Sequence, residues 1–315
     1  MKAIINTEYG SANVLKLQEI DKPTPKPNEL LVKIYGTTVN RTDTGLRSAE
    51  YFISRLFTGL FKPRFHTLGS EFAGIIEQIG ENVKSFKVGD EIFGLSTSNF
   101  GTHAEYLAIP ESASIALKPK NLSFYDAACI CEGPYLAFNY LTKFKIDKTT
   151  KILINGTSGS IGSSGLQLAK YFGAEVTAVT DTKNLALAKT LGADFVVDYT
   201  MEDFTATDKK FDLVFDAVGK SSFFKCKKLL KENGTYFSTE LGYLSQNVYL
   251  PLFTKKIIFP IPKDTKEQVE FFKDLAEKGH LRAIIDRTYA LEEVAEAHRY
   301  VEKGMKVGSV SIKVV

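Results

Sequence analysis

Two patterns of apolar and polar positions divide the chain. From residue 1 to about 121, short stretches alternate apolar and polar side chains between Gly, Pro and Asn: LLVKIYGTTVN at 30–40, FAGIIEQIG at 72–80, DEIFGL at 90–95 and HAEYLAI at 103–109. Alternation bounded by turn residues predicts half-buried strands, so this portion is expected to be mostly β. From about 122 the period changes. The helical stretches GLQLAKYFGA (165–174) and NLALAKTLGA (184–193) alternate with the β-branched runs KILIN, EVTAV, FVVDY and FDLVFDAVG. Strands alternating with helices predict a parallel, doubly wound α/β sheet. After IFPIP at 258–262, Val269, Phe272, Leu275 and Ala276 share one helical face. The stretch LEEVAEAHRYVEKG predicts a further helix, and GSVSIKVV closes the chain as a strand. The sequence shows no internal repeat and no low-complexity tract.

One segment fits neither pattern. In YFISRLFTGLFKPRF (51–65), Phe52, Ile53, Leu56, Phe57, Leu60 and Phe61 fall at helical spacing with Arg55, Lys62 and Arg64 between them. The spacing predicts an amphipathic helix covering a domain junction. A wall over a hydrophobic substrate and a membrane-surface patch are the alternatives.

Composition narrows the class. At 315 residues the chain is long enough for about two domains with cores of their own. Forty Lys and Arg against 37 Asp and Glu leave +3, too weak a field to imply nucleic acid as a partner. The opening MKAIINTEYG lacks the sustained apolar stretch of a signal peptide, and no apolar run is long enough to span a bilayer, so a cytoplasmic protein is expected. Cys129, Cys131 and Cys226 form no CxxC pair, and three cysteines fit a reducing compartment better than a disulfide framework.

The richest chemistry lies in KILINGTSGSIGSSGLQLAK. A β-branched strand runs into Gly156, Thr157, Ser158, Gly159, Ser160, Ile161 and Gly162, and then into a helix. Gly156 permits a tight turn, Gly159 lets a pyrophosphate approach the backbone, and Gly162 lets helix and strand pack closely, while N–H groups at the helix start receive phosphate. The spacing is GxxGxxG where the common dinucleotide fingerprint is GxGxxG; the order of strand, loop, helix and second strand strengthens it. At the end of that second strand Asp181 could accept from a ribose 2′-hydroxyl, favouring NAD, whereas Lys183 could hold the extra phosphate of NADP. Coenzyme choice stays open on these residues.

Together the motifs resemble the zinc-independent quinone oxidoreductase branch of the medium-chain dehydrogenase/reductase superfamily. The resemblance rests on VNRTD at 39–43, LGSEFAGIIEQIG at 68–80, FKVGDEIFG at 86–94, FGTHAEY at 100–106, the glycine loop, LGADFVVDYT at 191–200, FDAVG at 215–219 and VEKGMKVGSVSI near the C-terminus. It implies a GroES-like catalytic domain at 1–121, completed by 265–315, with a Rossmann nucleotide-binding domain at 122–264, and a homodimer. Zinc-dependent relatives hold their catalytic metal at positions that look here like Asn40, Ser70 and Cys131, too few ligands for a zinc site. A four-cysteine structural lobe is impossible with three cysteines. His66 and Glu71 are read as a surface histidine and a buried or paired carboxyl, and His103 and His298 as structural.

Without zinc there is no Lewis acid to activate an alcohol. What remains accessible is hydride transfer from NADPH, or NADH, to an electron-poor quinone or enone. The resemblance places Asn40 beside the cofactor, with Tyr51 and Tyr135 as candidate hydrogen-bond donors to the substrate oxygen. It adds Val218 and Leu241 to the coenzyme-binding residues, and sets Lys183 and Tyr199 where relatives hold the 2′-phosphate, an arrangement the charge of Asp181 opposes. Two other functions stay open: a redox-responsive cofactor-binding or interaction protein with little catalysis, and an alcohol dehydrogenase-like activity.

Overall fold

The computed structural model describes residues 1–50, 55–241 and 246–315. It divides into two compact units, one formed by Met1–Glu132 with Asp264–Val315 and the other by Gly133–Lys263. In chain order the first unit contributes β1 (Lys2–Ile5), β2 (Lys16–Glu19), β3 (Glu29–Val39), α1 (Arg41–Ser48), α2 (Arg55–Thr58), β4 (Glu71–Ile79), β5 (Glu91–Leu95), β6 (Tyr106–Pro110), β7 (Ile115–Leu117) and α3 (Phe124–Ala128). Helix α4 (Glu132–Leu141) leads into the second unit, with β8 (Lys151–Asn155), α5 (Ser160–Tyr171), β9 (Glu175–Thr180), α6 (Leu185–Thr190), β10 (Phe195–Asp198), β11 (Phe211–Asp216), α7 (Phe223–Cys226), β12 (Leu230–Ser238), α8 (Gln246–Tyr249) and β13 (Ile257–Ile258). The chain then returns to the first unit as α9 (Lys266–Glu277), β14 (Ile285–Ala290), α10 (Val294–Glu302) and β15 (Ser309–Lys313).

The sheet of the first unit is built from both chain ends. Its order is β14-β15-β3-β4-β5-β7, with β6 also on β3, and β1 and β2 form a separate hairpin. Strand β3 is the organiser, because it pairs antiparallel with β4, β6 and β15. Val310 of β15 opposes Val39, so the returning strand fixes the end of β3 from which Asn40 emerges. Close approach of α3 requires Gly36, where a Cβ would lie 2.8 Å from the Phe124 carbonyl oxygen. Helix α9 buries Val269, Phe272, Leu275 and Ala276, the apolar face its spacing predicted.

The second unit is a six-stranded sheet in the order β10-β9-β8-β11-β12-β13, with every pairing parallel. Relative to its first strand this is the 3-2-1-4-5-6 order of a doubly wound nucleotide-binding sheet, whose direction reverses between β8 and β11. The α/β class and the two architectures read from the sequence are both present. Small side chains in α5 let it press onto the sheet: a Cβ at Gly165 would lie 2.9 Å from Phe215. No helix among the described residues is long and apolar enough to cross a membrane.

The segment at 51–65 departs from its predicted helix. Residues 51–54, Tyr51 among them, lie outside the described residues. Beyond them, only Arg55–Thr58 is helical, because Gly59 turns the chain at φ +117° and Pro63 follows.

Candidate active site

Each unit carries one part of the expected chemistry. In the second unit, β8 runs into Gly156 at φ +84°, where L side chains are strained. The Gly156 and Thr157 amides both donate to the Val179 carbonyl of β9, at 3.0 and 3.1 Å, and Gly159 N–H donates back to the Gly156 carbonyl at 3.1 Å. A Cβ on Gly162 would lie 2.1 Å from that carbonyl, and one on Gly156 would lie 2.3 Å from Val218 Cγ1. Glycine therefore lets α5 and the end of β11 close on the loop.

Gly159 plays a different part. It is the N-cap of α5 and provides no side-chain cap, and a Cβ there would meet nothing nearer than the Gly156 oxygen at 3.6 Å. The first-turn N–H groups of Ser160, Ile161 and Gly162 thus stand at a helix end with open space where a side chain would be. A pyrophosphate fits this cradle, since a helix N-terminus offers aligned donors and partial positive charge. Ser158, Ser160 and Ile161 are half-buried, while the Thr157 hydroxyl turns inward to donate to Val179 at 3.2 Å.

The neighbouring strand ends gather the ribose candidates. Tyr199 N–H donates to the Thr180 carbonyl at 3.0 Å, which sets Tyr199, 55% exposed, beside Asp181 and the exposed Lys183. Asn184 Nδ2 donates to Asp181 Oδ1 at 2.5 Å. Leu241 is half-buried just beyond β12. Tyr135 is buried in α4, its carbonyl accepting from Asn139 Nδ2 at 2.9 Å.

In the first unit Asn40 both starts a helix and anchors a polar network. Its Oδ1 accepts from Asp43 N–H at 2.9 Å and the Asp43 carboxylate accepts from Asn40 N–H at 3.0 Å, closing a capping box on α1. Asn40 Nδ2 donates to Ser70 Oγ at 2.9 Å. Asp43 Oδ1 also accepts from Gly69 N–H at 3.0 Å, yet its complete burial pushes its pKa up to about 7.

Beyond Asn40 lie two buried carboxyls. Thr38 Oγ1 donates to Glu71 Oε1, and Glu71 Oε2 accepts from the backbone N–H of Glu132 at 2.6 Å. Thr42, an exposed residue, donates from Oγ1 to Glu132 Oε1 at 2.7 Å, and the nearby Asn40 amide also favours the ionised form of Glu132. Burial raises both pKa values well above the usual carboxyl range; the Glu132 charge adds to the rise at Glu71 and the Asp43 charge to that at Glu132. Half-buried Lys306 is near enough to counter them in part, although its own ammonium is lowered by burial. Sequence reasoning passed over Thr42 and Glu132. The available signal was a lone acid within the otherwise apolar run AACICEGPYLAF.

These donors do not fit zinc. Asn40 commits its amide oxygen to the helix cap, Ser70 offers a hydroxyl, and the Cys131 thiol donates to Ala127 O at 3.5 Å with its pKa pushed up by burial. Zinc prefers thiolate, imidazole or carboxylate in an open tetrahedron. Among the described residues no three His, Cys, Asp or Glu side chains are grouped to hold a metal ion. His66 is exposed and Glu71 buried.

His103 and His298 are fully buried and meet edge to face at 5.8 Å. His103 Nε2 bonds the Thr38 carbonyl at 2.8 Å, and burial lowers its pKa to about 4. His298 has both ring nitrogens without a hydrogen-bond partner among the described residues, and burial, then the charges of His103 and Arg47, holds it well below its ordinary 6.5. A histidine with a depressed folded pKa contributes fully above its unfolded value and loses that contribution as pH falls. We expect His298→Leu to gain thermal stability relative to wild type as pH drops from neutrality through the 6.5 unfolded value, read as a widening difference in Tm. A constant difference would mean that the ring titrates normally.

Residues 26–120 match the alcohol dehydrogenase GroES-like domain, and residues 191–312 match the family described as zinc-binding dehydrogenase. The 2-methylene-furan-3-one reductase of Solanum lycopersicum is 34% identical over 99% of this chain and 79% of its own length. The chloroplastic NADPH-dependent alkenal/one oxidoreductase of Arabidopsis thaliana is 30% identical with the same coverage of each. The quinone oxidoreductase structure from Coxiella burnetii superposes with a TM-score of 0.90 at 27% identity, covering 100% of this chain and 99% of that one. Full-length similarity of this degree, on the sheet order and glycine loop described above, places the chain in the quinone oxidoreductase branch of the medium-chain dehydrogenase/reductase superfamily.

Proposed function

We propose that this protein is an NAD(P)H-dependent reductase of quinones or α,β-unsaturated carbonyls that works without a protein-bound metal. The observation that carries this is the content of the Asn40 site: an amide, a hydroxyl and a buried thiol, each committed to a hydrogen bond, stand at the positions that correspond to a zinc ligand set, with two buried carboxyls beside them. The relatives named as an enone reductase and an alkenal/one oxidoreductase support the same reaction class.

When bound, the reduced nicotinamide supplies the hydride. The chain holds the coenzyme through the N–H groups at the start of α5, with Gly159 leaving room and Val218 closing over Gly156. As hydride reaches the acceptor, negative charge grows on its oxygen or α-carbon and must receive a proton. Glu132 is kept protonated near neutrality by its own burial, with the Asp43 charge adding to it, and the exposed Thr42 hydroxyl on its Oε1 can pass that proton outward. Hydride and proton together convert an enone to the saturated carbonyl. Asn40 orients this group from the rigid start of α1.

NADPH is the favoured coenzyme, on the strength of Lys183 and Tyr199 at the β9 and β10 ends and of Asn184 engaging the Asp181 carboxylate. The test is oxidation of each coenzyme with an enone and a quinone panel, in the presence of a chelator. Turnover is expected with NADPH, and Lys183→Ala is expected to raise its KM about tenfold with that for NADH unchanged, the loss of one charge-assisted hydrogen bond. A preference for NADH overturns the coenzyme assignment. Tight coenzyme binding with no acceptor turned over overturns the reductase.

A further inference from the structure

The segment after α1 is left without a role by the reaction. Within Leu56–Phe61 four large apolar side chains stand in solvent: Leu56 is 69% exposed, Phe57 72%, Leu60 46% and Phe61 85%. They are held out by a braced loop. Gly59 N–H donates to the Arg55 carbonyl at 2.9 Å and Arg64 N–H to the Thr58 carbonyl at 2.6 Å. The Tyr9 hydroxyl sits 2.7 Å from Thr58 Oγ1 and donates to the Gly59 carbonyl at 2.6 Å, while the Arg55 guanidinium lies 4.8 Å over the Tyr9 ring. The loop backbone is thus tied to the body while Leu56, Phe57, Leu60 and Phe61 stay uncovered. Apolar groups clustered this way on a surface mark a contact.

Charge identifies the partner. From 55 to 66 the chain carries Arg55, Lys62 and Arg64 and no acidic residue, and Lys62 and Arg64 are exposed. A second copy docking by two-fold symmetry would bring this cationic patch against itself. Aromatic and leucine side chains among basic residues instead match the interface of an anionic bilayer, where rings enter the headgroup and acyl boundary and cations meet phosphate.

We propose that the Arg55–Arg64 loop seats this protein on anionic lipid, with Phe57 and Phe61 inserted and Lys62 and Arg64 on the headgroup phosphates. Contact of this kind is peripheral and reversible, and it is independent of the reductase assignment.

The experiment is co-sedimentation of the full chain with vesicles of phosphatidylcholine alone or with added phosphatidylserine. Wild type is expected to pellet with the anionic vesicles and to be released by salt. Lys62→Ala is expected to weaken binding about fivefold, the effect of one basic residue at an anionic surface. The double variant Phe57→Asp and Phe61→Asp is expected to lose binding while its melting temperature and coenzyme affinity match wild type, which separates lost contact from lost fold. Three results overturn the proposal. The first is no binding to anionic vesicles, and the second is equal binding by the double variant. The third is a change confined to acceptor KM or to self-association, which would make the loop a substrate wall or a protein interface.

Discussion

Glu132→Gln should slow enone reduction by about a hundredfold to ten-thousandfold, the contribution of a positioned general acid. Gln keeps an acceptor for the Thr42 hydroxyl and the volume of the side chain, and it removes only the transferable proton. In wild type, kcat should fall on the alkaline side as the Glu71–Glu132 pair gives up its proton. The variant should be slow and flat over the same range. Thr42→Val should show the same loss in smaller degree, with Thr42→Ser restoring most of it. A structural role alone would not move the alkaline limb. Stability runs the opposite way, because a carboxyl whose folded pKa is raised costs stability once pH exceeds its unfolded value. Glu132→Gln should therefore gain Tm relative to wild type as pH rises from the unfolded value of 4.5 to about 8, and the difference should level off above that. A rate within twofold of wild type on an enone would assign the proton to solvent.

The glycine loop gives the second large effect, through two variants that differ only in where the new methyl group falls. A Cβ on Gly162 lies 2.1 Å from the Gly156 oxygen, so Gly162→Ala must displace the loop and should lower both Tm and coenzyme affinity. A Cβ on Gly159 meets only that same oxygen at 3.6 Å, and its φ of −76° suits alanine. Gly159→Ala should melt with wild type yet bind NADPH about a hundredfold more weakly, because the methyl occupies the approach of the pyrophosphate and breaks one or two charge-assisted hydrogen bonds. Titration of coenzyme fluorescence beside a thermal melt reads both quantities. Wild-type affinity in Gly159→Ala would show that the cradle holds no phosphate.

Much of the fold is legible in period alone. The runs at 30–40, 72–80 and 90–95 became β3, β4 and β5, because alternation places one face of each strand in a core. The strand, glycine loop and helix at 151–171 were legible for a similar reason, since their geometry is local. The segment at 51–65 was misread as one helix: apolar spacing was visible, but the left-handed turn at Gly59 outweighs it. The proton-bearing pair was hidden for a different reason. Glu71 and Glu132 are 61 positions apart, and their meeting depends on how β4 and the start of α4 are brought together. Arg47 was equally invisible, since nothing local announces that an arginine will be fully buried against Glu302. Asn40 was found through its motif, but its tie to Ser70 required the register of β3 and β4.

The Asn40 capping box also bears on what a metal would cost at this place. A zinc site here would need a thiolate, imidazole or carboxylate in place of the Asn40 amide. Here the side chain caps α1, whereas a cysteine offers a weak acceptor in its place, and losing an N-cap costs about 1 kcal/mol. Ser70 and Cys131 are likewise committed, one to the Asn40 amide and the other to the Ala127 carbonyl. Building a zinc site here would therefore require coordinated changes, with the first step destabilising and conferring no ligand set. A metal site designed into this place has to bring a new N-cap for α1 along with its ligands, so that Asn40→Cys alone should cost stability without gaining zinc.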